Sequence, residues 1–382
     1  MSYSIFTINP GSTSTKVALF RGDEKIFSRN IAHSAEELAQ FPTISAQLPY
    51  RMNMIMEALE AEKITLSKMN AFVGRGGGFY SMEGGVYELN RLMLDHATES
   101  PLGIQHPACL GVQIAYRMQK EYGGRVFVVN PPVVDEYEEL ARVTGIKEIP
   151  RESHLHALNL KEVGIRHAAV LGKPYEECNF VICHIGGGTS ISAHRQGRMV
   201  DGNDIIGGEG PMTPTRCGSV PAEPLIELCF SGKYTKKELI ERCRKNGGFL
   251  DWLGTADAVE VSERAAQGDE TAKLVWDAMI YQIKKYIGSM VMALDGKVDG
   301  ILLTGGMSRN QYLTEELTKA CSFLAPVTVY AGEFEMEAMA SGAVRVLEGK
   351  EAPKSYTGIP VWNGWNAGIH GRQEKYADGQ KL

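Results

Sequence analysis

The chain has 382 residues, of which 43% are hydrophobic and 23% are charged, the composition of an ordinary globular protein. Its length favours two domains over one. With 40 Lys and Arg against 46 Asp and Glu, the net charge of −6 supports neither a nucleic-acid partner nor an anionic membrane surface. No apolar run is long enough to span a bilayer, so no membrane partner is expected.

The cysteines and the first residues bear on the cellular compartment. Seven cysteines without a Cys-x-x-Cys pair indicate reduced core residues rather than disulfides or zinc ligands. The chain begins with a predicted strand and lacks a basic segment followed by an apolar one, so no secretory signal is expected. We therefore expect a cytoplasmic protein.

Predicted strands and helices alternate along the chain, which favours the α/β class with mixed sheets. The elements of the first half are a hairpin over residues 3–20, a helix over 51–62, a strand over 71–73, a helix over 107–122, a strand over 125–129 and a helix over 156–167. The second half contains a strand over 179–185, a glycine- and proline-rich segment over 197–221 that we assign to an active-site loop, helices over 221–230, 235–246 and 272–294, a strand over 300–304, a helix over 310–322, a strand over 327–330 and a helix over 335–348.

The domain boundaries follow from this order of elements. We predict an N-terminal domain of residues 1–150, completed by about 338–382, and a second, nucleotide-binding domain of residues 151–337. The tail after Pro353 has a different composition, with Trp362 and Trp365 among Gly, Asn and Pro. It is either a loosely packed end or an aromatic arm that packs on its own body or on a neighbouring subunit.

Two segments share one pattern, in which an apolar, β-branched run bends through glycine and small hydroxyl residues and returns as a strand. They are residues 6–20 and residues 180–194, with bends at 9–15 and 186–190. Such a bend directs backbone N–H groups and hydroxyls into one concavity that suits a phosphate. Two of them, one in each half, suggest duplicated domains that face one nucleotide across a cleft.

Other nucleotide motifs are absent from the sequence. No Gly-x-Gly-x-x-Gly follows a strand, and no Gly-Lys-Ser/Thr P-loop occurs. A third glycine turn, Thr304-Gly305-Gly306-Met307-Ser308, follows a predicted strand and precedes a helix. Its backbone and the helix N-terminus suit a nucleoside.

Together these segments resemble the acetate and sugar kinase/Hsp70/actin superfamily, and within it the acetokinases, most closely the butyrate kinase group. The motifs occur in the family's order over about residues 4–345. They are Asn9-Pro10-Gly11-Ser12-Thr13-Ser14-Thr15-Lys16, Val73-Gly74-Arg75-Gly76-Gly77, Val133-Val134-Asp135-Glu136, His156-Ala157-Leu158-Asn159, His184-Ile185-Gly186-Gly187-Gly188-Thr189-Ser190, Gly208-Glu209-Gly210-Pro211, Arg216-Cys217-Gly218-Ser219, Leu303-Thr304-Gly305-Gly306-Met307 and Val329-Tyr330-Ala331-Gly332-Glu333-Phe334-Glu335.

The resemblance implies two ribonuclease-H-like (actin-like ATPase) α/β domains, with mixed sheets flanked by helices and the active site in the interdomain cleft. It implies Mg²⁺-dependent, reversible phosphoryl transfer from ATP to a short-chain fatty acid, butyrate or a branched relative, which gives acyl phosphate and ADP. It also implies a homodimer or a larger homo-oligomer.

Catalytic roles carry over onto four residues. Transfer to a carboxylate brings two anions together, so the site needs fixed cations that guanidinium groups supply well. By resemblance, Arg75 and Arg216 contact the substrate carboxylate or the transferring phosphoryl, His156 contacts that phosphoryl, and Asp135 helps to hold Mg²⁺ or orients an arginine. The structural alternatives are salt bridges for the arginines, a helix cap for Asp135 and a core histidine for His156.

The resemblance also implies the cofactor-binding and metal-linked residues. Asn9, Asp135 and Glu335 lie near Mg²⁺, with Glu333 as the competitor of Glu335 because the alignment there is ambiguous by two residues. The expected phosphate contacts are Asn9, Gly11, Ser12, Ser14, Lys16, His184, Gly186, Gly187 and Gly188, and the expected adenosine contacts are Gly305, Gly306 and Met307.

Three other functions stay open. An acetate or propionate kinase shares most of the motifs. An actin- or Hsp70-type ATP switch needs the glycine turns but has no reason to keep both arginines with His156. A sugar kinase needs a carboxylate base, for which Asp135 is the candidate. Residues 106–109, His-Pro-Ala-Cys, depart from the His-Ala-Ser-Asn expected of the butyrate kinase group, which leaves the chain-length preference undecided.

Overall fold

The computed structural model describes residues 2–22 and 24–365. The chain divides into two compact units: the first comprises Met1–Asp135 and Phe334–Leu382, and the second comprises Glu136–Glu333. The chain therefore passes from one unit to the other between residues 135 and 136 and between residues 333 and 334, whereas the boundaries predicted from the sequence lie near 150 and 337.

The first unit is built on a six-stranded sheet with the order β3-β2-β1-β4-β6-β5. Its strands are β1 (Ser4–Pro10), β2 (Ser14–Arg21), β3 (Glu24–Ala32), β4 (Ala71–Gly74), β5 (Val86–Glu88) and β6 (Arg125–Val129). Its helices are α1 (Ala35–Leu38), α2 (Leu48–Ala61), α3 (Arg91–Glu99), α4 (Ala108–Tyr122) and, from the end of the chain, α13 (Glu335–Leu347), with a 3-10 turn at Ser45–Gln47.

The register of this sheet brings the site residues to one edge. β1 pairs antiparallel with β2, from Ser4 opposite Arg21 to Pro10 opposite Thr15. β1 pairs in parallel with β4, so the carboxyl ends of both strands, which carry Asn9 and Arg75, lie side by side. α4 and α13 pack against these strands and bury an apolar core that includes Phe6, Ile8 and Phe72.

The second unit repeats this arrangement with a five-stranded sheet of order β11-β10-β7-β8-β9. Its strands are β7 (Asn179–His184), β8 (Ser190–Arg195), β9 (Arg198–Gly202), β10 (Gly300–Gly305) and β11 (Val327–Ala331). Its helices are α5 (Glu139–Arg142), α6 (Ala157–Val170), α7 (Ala222–Phe230), α8 (Lys236–Arg244), α9 (Phe249–Leu253), α10 (Ala258–Ala266), α11 (Glu270–Ala293) and α12 (Gln311–Cys321), with 3-10 turns at Tyr175–Glu177 and Gly306–Arg309.

Most predicted elements are present within a few residues of their expected bounds, but two interpretations were wrong. The segment 197–221 is not a loop throughout, because Arg198–Gly202 forms β9 and pairs with β8. Asp135 is not a helix cap, because α5 begins at Glu139 with Glu138 as its N-cap. β3 was missed because only Phe27 and Ile31 of its nine residues are buried, which hides the alternation of an edge strand.

The tail packs on the first unit as far as it is described. The backbone N–H of Lys354 donates to Val86 (2.7 Å), and the buried Tyr356 hydroxyl accepts from the Tyr80 N–H (3.0 Å). Trp362 is buried and meets Trp365 edge-on, with ring centroids 5.8 Å apart. Residues 353–365 are therefore a packed arm rather than a loose end, and the rest of the tail lies outside the described residues.

The cysteines only partly match the expectation of core residues. Cys109, Cys178, Cys183 and Cys321 are buried, but Cys217 and Cys243 are half-exposed and Cys229 is exposed. All seven are free thiols. Among the described residues, no helix combines the length and the apolar character that a membrane span requires.

Candidate active site

The first glycine turn connects β1 to β2 and leaves its tip exposed. The Gly11 N–H donates to the Ser14 carbonyl (2.7 Å), which closes the turn. Ser12 and Thr13 at the tip are exposed, as is Lys16 on β2, while Thr15 is fully buried. The predicted phosphate contacts of the first unit therefore lie at one end of its sheet.

Asn9, Arg75 and Glu335 form a cluster at this end of the sheet. Asn9 Nδ2 donates to Glu335 Oε2 (2.8 Å), and Arg75 Nη2 lies 3.6 Å from Glu335 Oε1. Arg75 is buried, and its Nη1 has no hydrogen-bond partner. One guanidinium nitrogen is thus an unused donor, and a buried donor without a partner is costly.

Close packing against α4 fixes the backbone of Arg75. The Arg75 N–H donates to the Ile8 carbonyl (2.8 Å). A Cβ on Gly74 would lie 2.4 Å from the Gly111 backbone, and one on Gly111 would lie 2.4 Å from the Arg75 carbonyl oxygen. Gly74 therefore permits the close approach of α4 to the backbone beside Arg75.

The two candidate glutamates lie in different units. Glu335 is the first residue of α13 in the first unit and contacts Asn9 and Arg75. Glu333 belongs to the second unit, where its Oε1 lies 3.7 Å from His184 Nε2. Asp135 is buried and is the last residue of the first segment of the first unit. Its N–H donates to the Met82 carbonyl (2.9 Å).

The oxygen donors of the first unit fit magnesium better than zinc. No group of three or more His, Cys, Asp and Glu that could hold a metal occurs among the described residues. Mg²⁺ needs only one or two carboxylates, because water and substrate phosphates complete its octahedron. Asn9 donates through Nδ2, which leaves its Oδ1 as a possible ligand beside Glu335.

In the second unit, Arg216 lies against the second glycine turn. Its Nη1 donates to the Ile205 carbonyl (2.8 Å), and its N–H donates to Thr213 Oγ1 (3.2 Å). Thr213 Oγ1 in turn donates to the Gly187 carbonyl (2.7 Å). Burial lowers the pKa of Arg216, while the nearby Asp204 opposes this shift. The hydrogen bonds through Thr213 fix the backbone of Arg216 against the turn, and the Ile205 carbonyl holds its guanidinium.

We expect Gly188→Ala to displace Arg216 without unfolding the chain. The added Cβ would lie 2.5 Å from Arg216 Nη1, the end of a flexible side chain that can move away. We expect kcat/KM for phosphoryl transfer to fall about 10- to 100-fold, since a misplaced charged hydrogen bond costs about 1.5–3 kcal/mol. The matched control is Gly145→Ala, where nothing lies within 4 Å of the added Cβ. Equal rates for the two variants, measured beside their melting curves, would refute this.

Two histidines are stacked beside the second turn. The rings of His156 and His184 are nearly parallel, 8° apart, with centroids 4.0 Å apart. His156 Nδ1 pairs with Ser190 Oγ (2.8 Å), and His184 Nδ1 pairs with Asn159 Nδ2 (3.0 Å). The structure thus brings together His156 and His184, which were predicted separately.

The third glycine turn packs directly on the second. The Met307 N–H donates to the Ile185 carbonyl (3.0 Å), and the Ile185 N–H donates to the Thr304 carbonyl (2.7 Å). A Cβ on Gly305, whose φ is +94°, would lie 2.3 Å from the Ile185 carbonyl oxygen. Gly305 therefore permits this close approach, while Gly306 has open space around it.

Two supporting residues, Asn203 and Arg51, were not predicted. Asn203 is buried, with Oδ1 accepting from the Ile191 N–H (2.7 Å) and Nδ2 donating to the Thr189 carbonyl (2.9 Å). Arg51 is fully buried behind the first turn. The sequence contains an indication of this, because Arg51 occupies a position with the helical spacing of the buried Leu48 and Ile55 of α2, where an apolar residue is expected. Asn203 gave no such signal, since its partners are distant in sequence.

His33 lies next to Arg51 and gives a pH-dependent prediction. Burial and the charge of Arg51 lower the pKa of His33 from 6.5 to about 4, against a smaller opposing effect of Glu37. Below pH 6.5 the unfolded chain therefore binds a proton at His33 that the folded chain does not, and stability falls as pH decreases towards 4. We expect His33→Asn to lose less unfolding free energy than the wild type between pH 7 and pH 5. Parallel losses in urea titrations at both pH values would contradict this.

Comparison with known proteins places the chain in a family. A model of the acetokinase family matches residues 148–344. Butyrate kinase 2 of Clostridium acetobutylicum is 42% identical over 356 residues, which are 93% of this chain and 100% of that protein. This chain belongs to the acetokinase family. This acetokinase is also 42% identical to a protein of Listeria monocytogenes named as a probable butyrate kinase, over 93% of this chain and 100% of that protein.

Solved structures of acetokinase relatives share its fold. The acetate kinase of Porphyromonas gingivalis aligns with a TM-score of 0.74 at 20% identity, over 90% of this chain and 100% of that one. The propionate kinase of Francisella tularensis aligns with a TM-score of 0.67 at 19% identity, over 89% and 98%. The predicted fold class, two mixed α/β sheets flanked by helices, is thereby confirmed.

Proposed function

We propose that this acetokinase is a butyrate kinase, which reversibly transfers the γ-phosphoryl group of ATP to butyrate or a branched relative and forms acyl phosphate and ADP. One observation carries the proposal: butyrate kinases match at 42% identity along 93% of the chain. Membership of the family makes the chain a kinase that acts on a carboxylate.

The chemistry of this transfer calls for charge neutralisation rather than proton removal. A carboxylate is already ionised at neutral pH, so it needs no general base. It must instead approach an anionic phosphate whose charge spreads over three oxygens in the transition state. Fixed donors at that position lower the barrier because they are oriented before the reaction begins.

We assign this neutralisation to Arg75 and Arg216. Arg75 has a buried Nη1 without a partner, which supports a role as donor to the acid or to the transferring phosphoryl. Arg216 keeps its Nη1 on Ile205, which leaves its remaining donors for the phosphoryl oxygens beside Gly188. His156, stacked on His184, is proposed as a third donor to the phosphoryl group.

We assign Mg²⁺ to Asn9, Asp135 and Glu335, through oxygens that suit a hard cation. When bound, the ion neutralises charge on the ATP phosphates. The proposed phosphate contacts are the first turn with Lys16, and His184 with Gly186, Gly187 and Gly188. The proposed adenosine contacts are Gly305, Gly306 and Met307.

The test is the formation of acyl phosphate, trapped with hydroxylamine, from Mg-ATP and a series of acids: acetate, propionate, butyrate, isobutyrate, valerate and isovalerate. We expect the product to peak at four or five carbons. A peak at two or three carbons would favour the acetate or propionate kinase alternative. ATP binding without any product would favour an ATP switch and would refute the proposal.

We also propose that the enzyme acts as a homo-oligomer in the cytoplasm, the compartment that supplies ATP. Helix α11 exposes Leu274, Tyr281 and Met292, each more than 60% accessible, which supports an association surface. Light scattering of the purified chain measures the mass directly, and a monomer at micromolar concentration would refute the oligomer.

A further inference from the structure

The guanidinium of Arg51 lies behind the first glycine turn without a counter-ion. Arg51 is fully buried on α2, and none of the ion pairs among the described residues includes it. All its hydrogen-bond acceptors are neutral. They are Gln47 Oε1 (3.0 Å from Nε) and, from Nη1, the Gly11 carbonyl (3.0 Å), the Ser14 carbonyl (3.2 Å) and Thr15 Oγ1 (2.9 Å).

A buried cation of this kind is unfavourable by itself. Taking a charge out of water is costly unless an opposite charge compensates it. Burial accordingly lowers the pKa of Arg51, and the one opposing effect comes from Tyr50, a phenol and not a carboxylate. The carboxylate of Glu37 accepts a hydrogen bond from the Ser34 N–H and interacts with Tyr50 and His33, not with Arg51. A bound anion would supply the missing negative charge.

Arg51 also orients the turn. Its Nη1 holds the carbonyls of Gly11 and Ser14, and the His33 N–H holds the carbonyl of Thr13 (2.8 Å). Three carbonyl dipoles of the turn, which would repel a phosphate, are thereby occupied by donors. The exposed Ser12 and Thr13 are left at the tip, backed by a fixed positive charge.

Arg51 and Arg75 belong to the same electrostatic neighbourhood. Burial lowers the pKa of His106, and the charges of Arg75 and Arg51 add to this shift. Glu335 lies near the charge of Arg75 but makes no ion pair with Arg51 among the described contacts. Arg51 Nη2 is buried without a partner, like Arg75 Nη1. Among the described residues of the first unit, no acid forms an ion pair with Arg51 at this position.

We propose that Arg51 is a positioning residue of the phosphate site, which holds the first turn in shape and attracts the phosphates of ATP to it through a fixed buried charge. This inference rests on the proposed function, in which the first turn contacts those phosphates. It adds a third arginine, placed behind the turn, to the two that we assign to the reacting groups.

Two variants separate the charge of Arg51 from its bulk. Arg51→Met removes the charge and the donors at similar length, whereas Arg51→Lys keeps a charge but cannot bridge the three turn acceptors. The control is Arg29→Met, whose side chain is exposed and lies 3.7 Å from Glu62 on the same unit. Calorimetry measures the Kd of Mg-ATP and of tripolyphosphate, and melting curves report folding.

We expect Arg51→Met to weaken Mg-ATP and tripolyphosphate binding by at least about tenfold, the effect of one lost charged hydrogen bond. Arg51→Lys should fall between Arg51→Met and the wild type, and the KM for butyrate should change less than the KM for ATP. A wild-type Kd in folded Arg51→Met would overturn the inference. If Arg51→Met does not fold, a wild-type ATP affinity in Arg51→Lys would overturn it equally.

The same measurements distinguish this inference from the proposed function. A wild-type protein that binds Mg-ATP but makes no acyl phosphate refutes the butyrate kinase activity, while the comparison of Kd values still tests Arg51. A wild-type protein that does not bind Mg-ATP overturns both.

Discussion

Arg75→Ala and Arg216→Ala are each expected to lower kcat for acyl phosphate formation by about 10³-fold or more. Removing one preorganised donor to a transition-state charge costs about 10²–10³, and an arginine at a transferring phosphoryl contributes about 10³–10⁵. Both changes should leave the fold intact, because Asn9 still holds Glu335 and Thr213 still holds the Gly187 carbonyl. Steady-state kinetics with Mg-ATP and butyrate measure the loss.

The matched controls are arginines whose ion pairs are solvent-accessible. Arg29 in the first unit lies 3.7 Å from Glu62, with side chains 59% and 50% exposed. Arg242 in the second unit pairs with Asp251, with side chains 39% and 42% exposed. Alanine at either position should change kcat less than twofold, because exposed pairs contribute little. If folded Arg75→Ala and Arg216→Ala both kept near-control rates, the proposed mechanism would be wrong.

Gly305→Ala is expected to destabilise the chain by roughly 3 kcal/mol or more, through backbone strain and a clash that no side chain can relieve. The φ of Gly305 is +94°, and the added Cβ would lie 2.3 Å from the Ile185 carbonyl oxygen and 2.6 Å from the Ile185 nitrogen. Both atoms are backbone, so the second and third glycine turns would have to separate. Urea denaturation measures the change in unfolding free energy.

Gly306→Ala tests the same turn without that strain. Nothing lies within 4 Å of an added Cβ, so its stability should stay within about 0.5 kcal/mol of the wild type. Because Gly306 is a proposed adenosine contact, its KM for ATP should nevertheless rise several-fold. Equal destabilisation by the two alanines would show that the close approach at Gly305 is not what requires glycine there.

The sequence predicted the glycine-rich hairpins but not the residues that pack behind them. The hairpins around Gly11 and Gly187 were predictable because apolar runs and glycine-rich bends are local patterns. The role of Gly74 was not, since its partner Gly111 is on a helix that comes later in the chain. Arg51 was visible as a charge at core spacing, but its role behind the turn needed the tertiary contacts.

The sequence by itself determined the α/β class, most strands and helices and the family, because hydrophobic periodicity and short motifs are written in neighbouring residues. Only the tertiary structure decided that Glu335 rather than Glu333 contacts Asn9 and Arg75. Only the tertiary structure shows that His156 stacks on His184 and that Arg51 is buried without a counter-ion among the described residues. These features depend on which distant segments pack together, and burial and charge compensation exist only once that packing has formed.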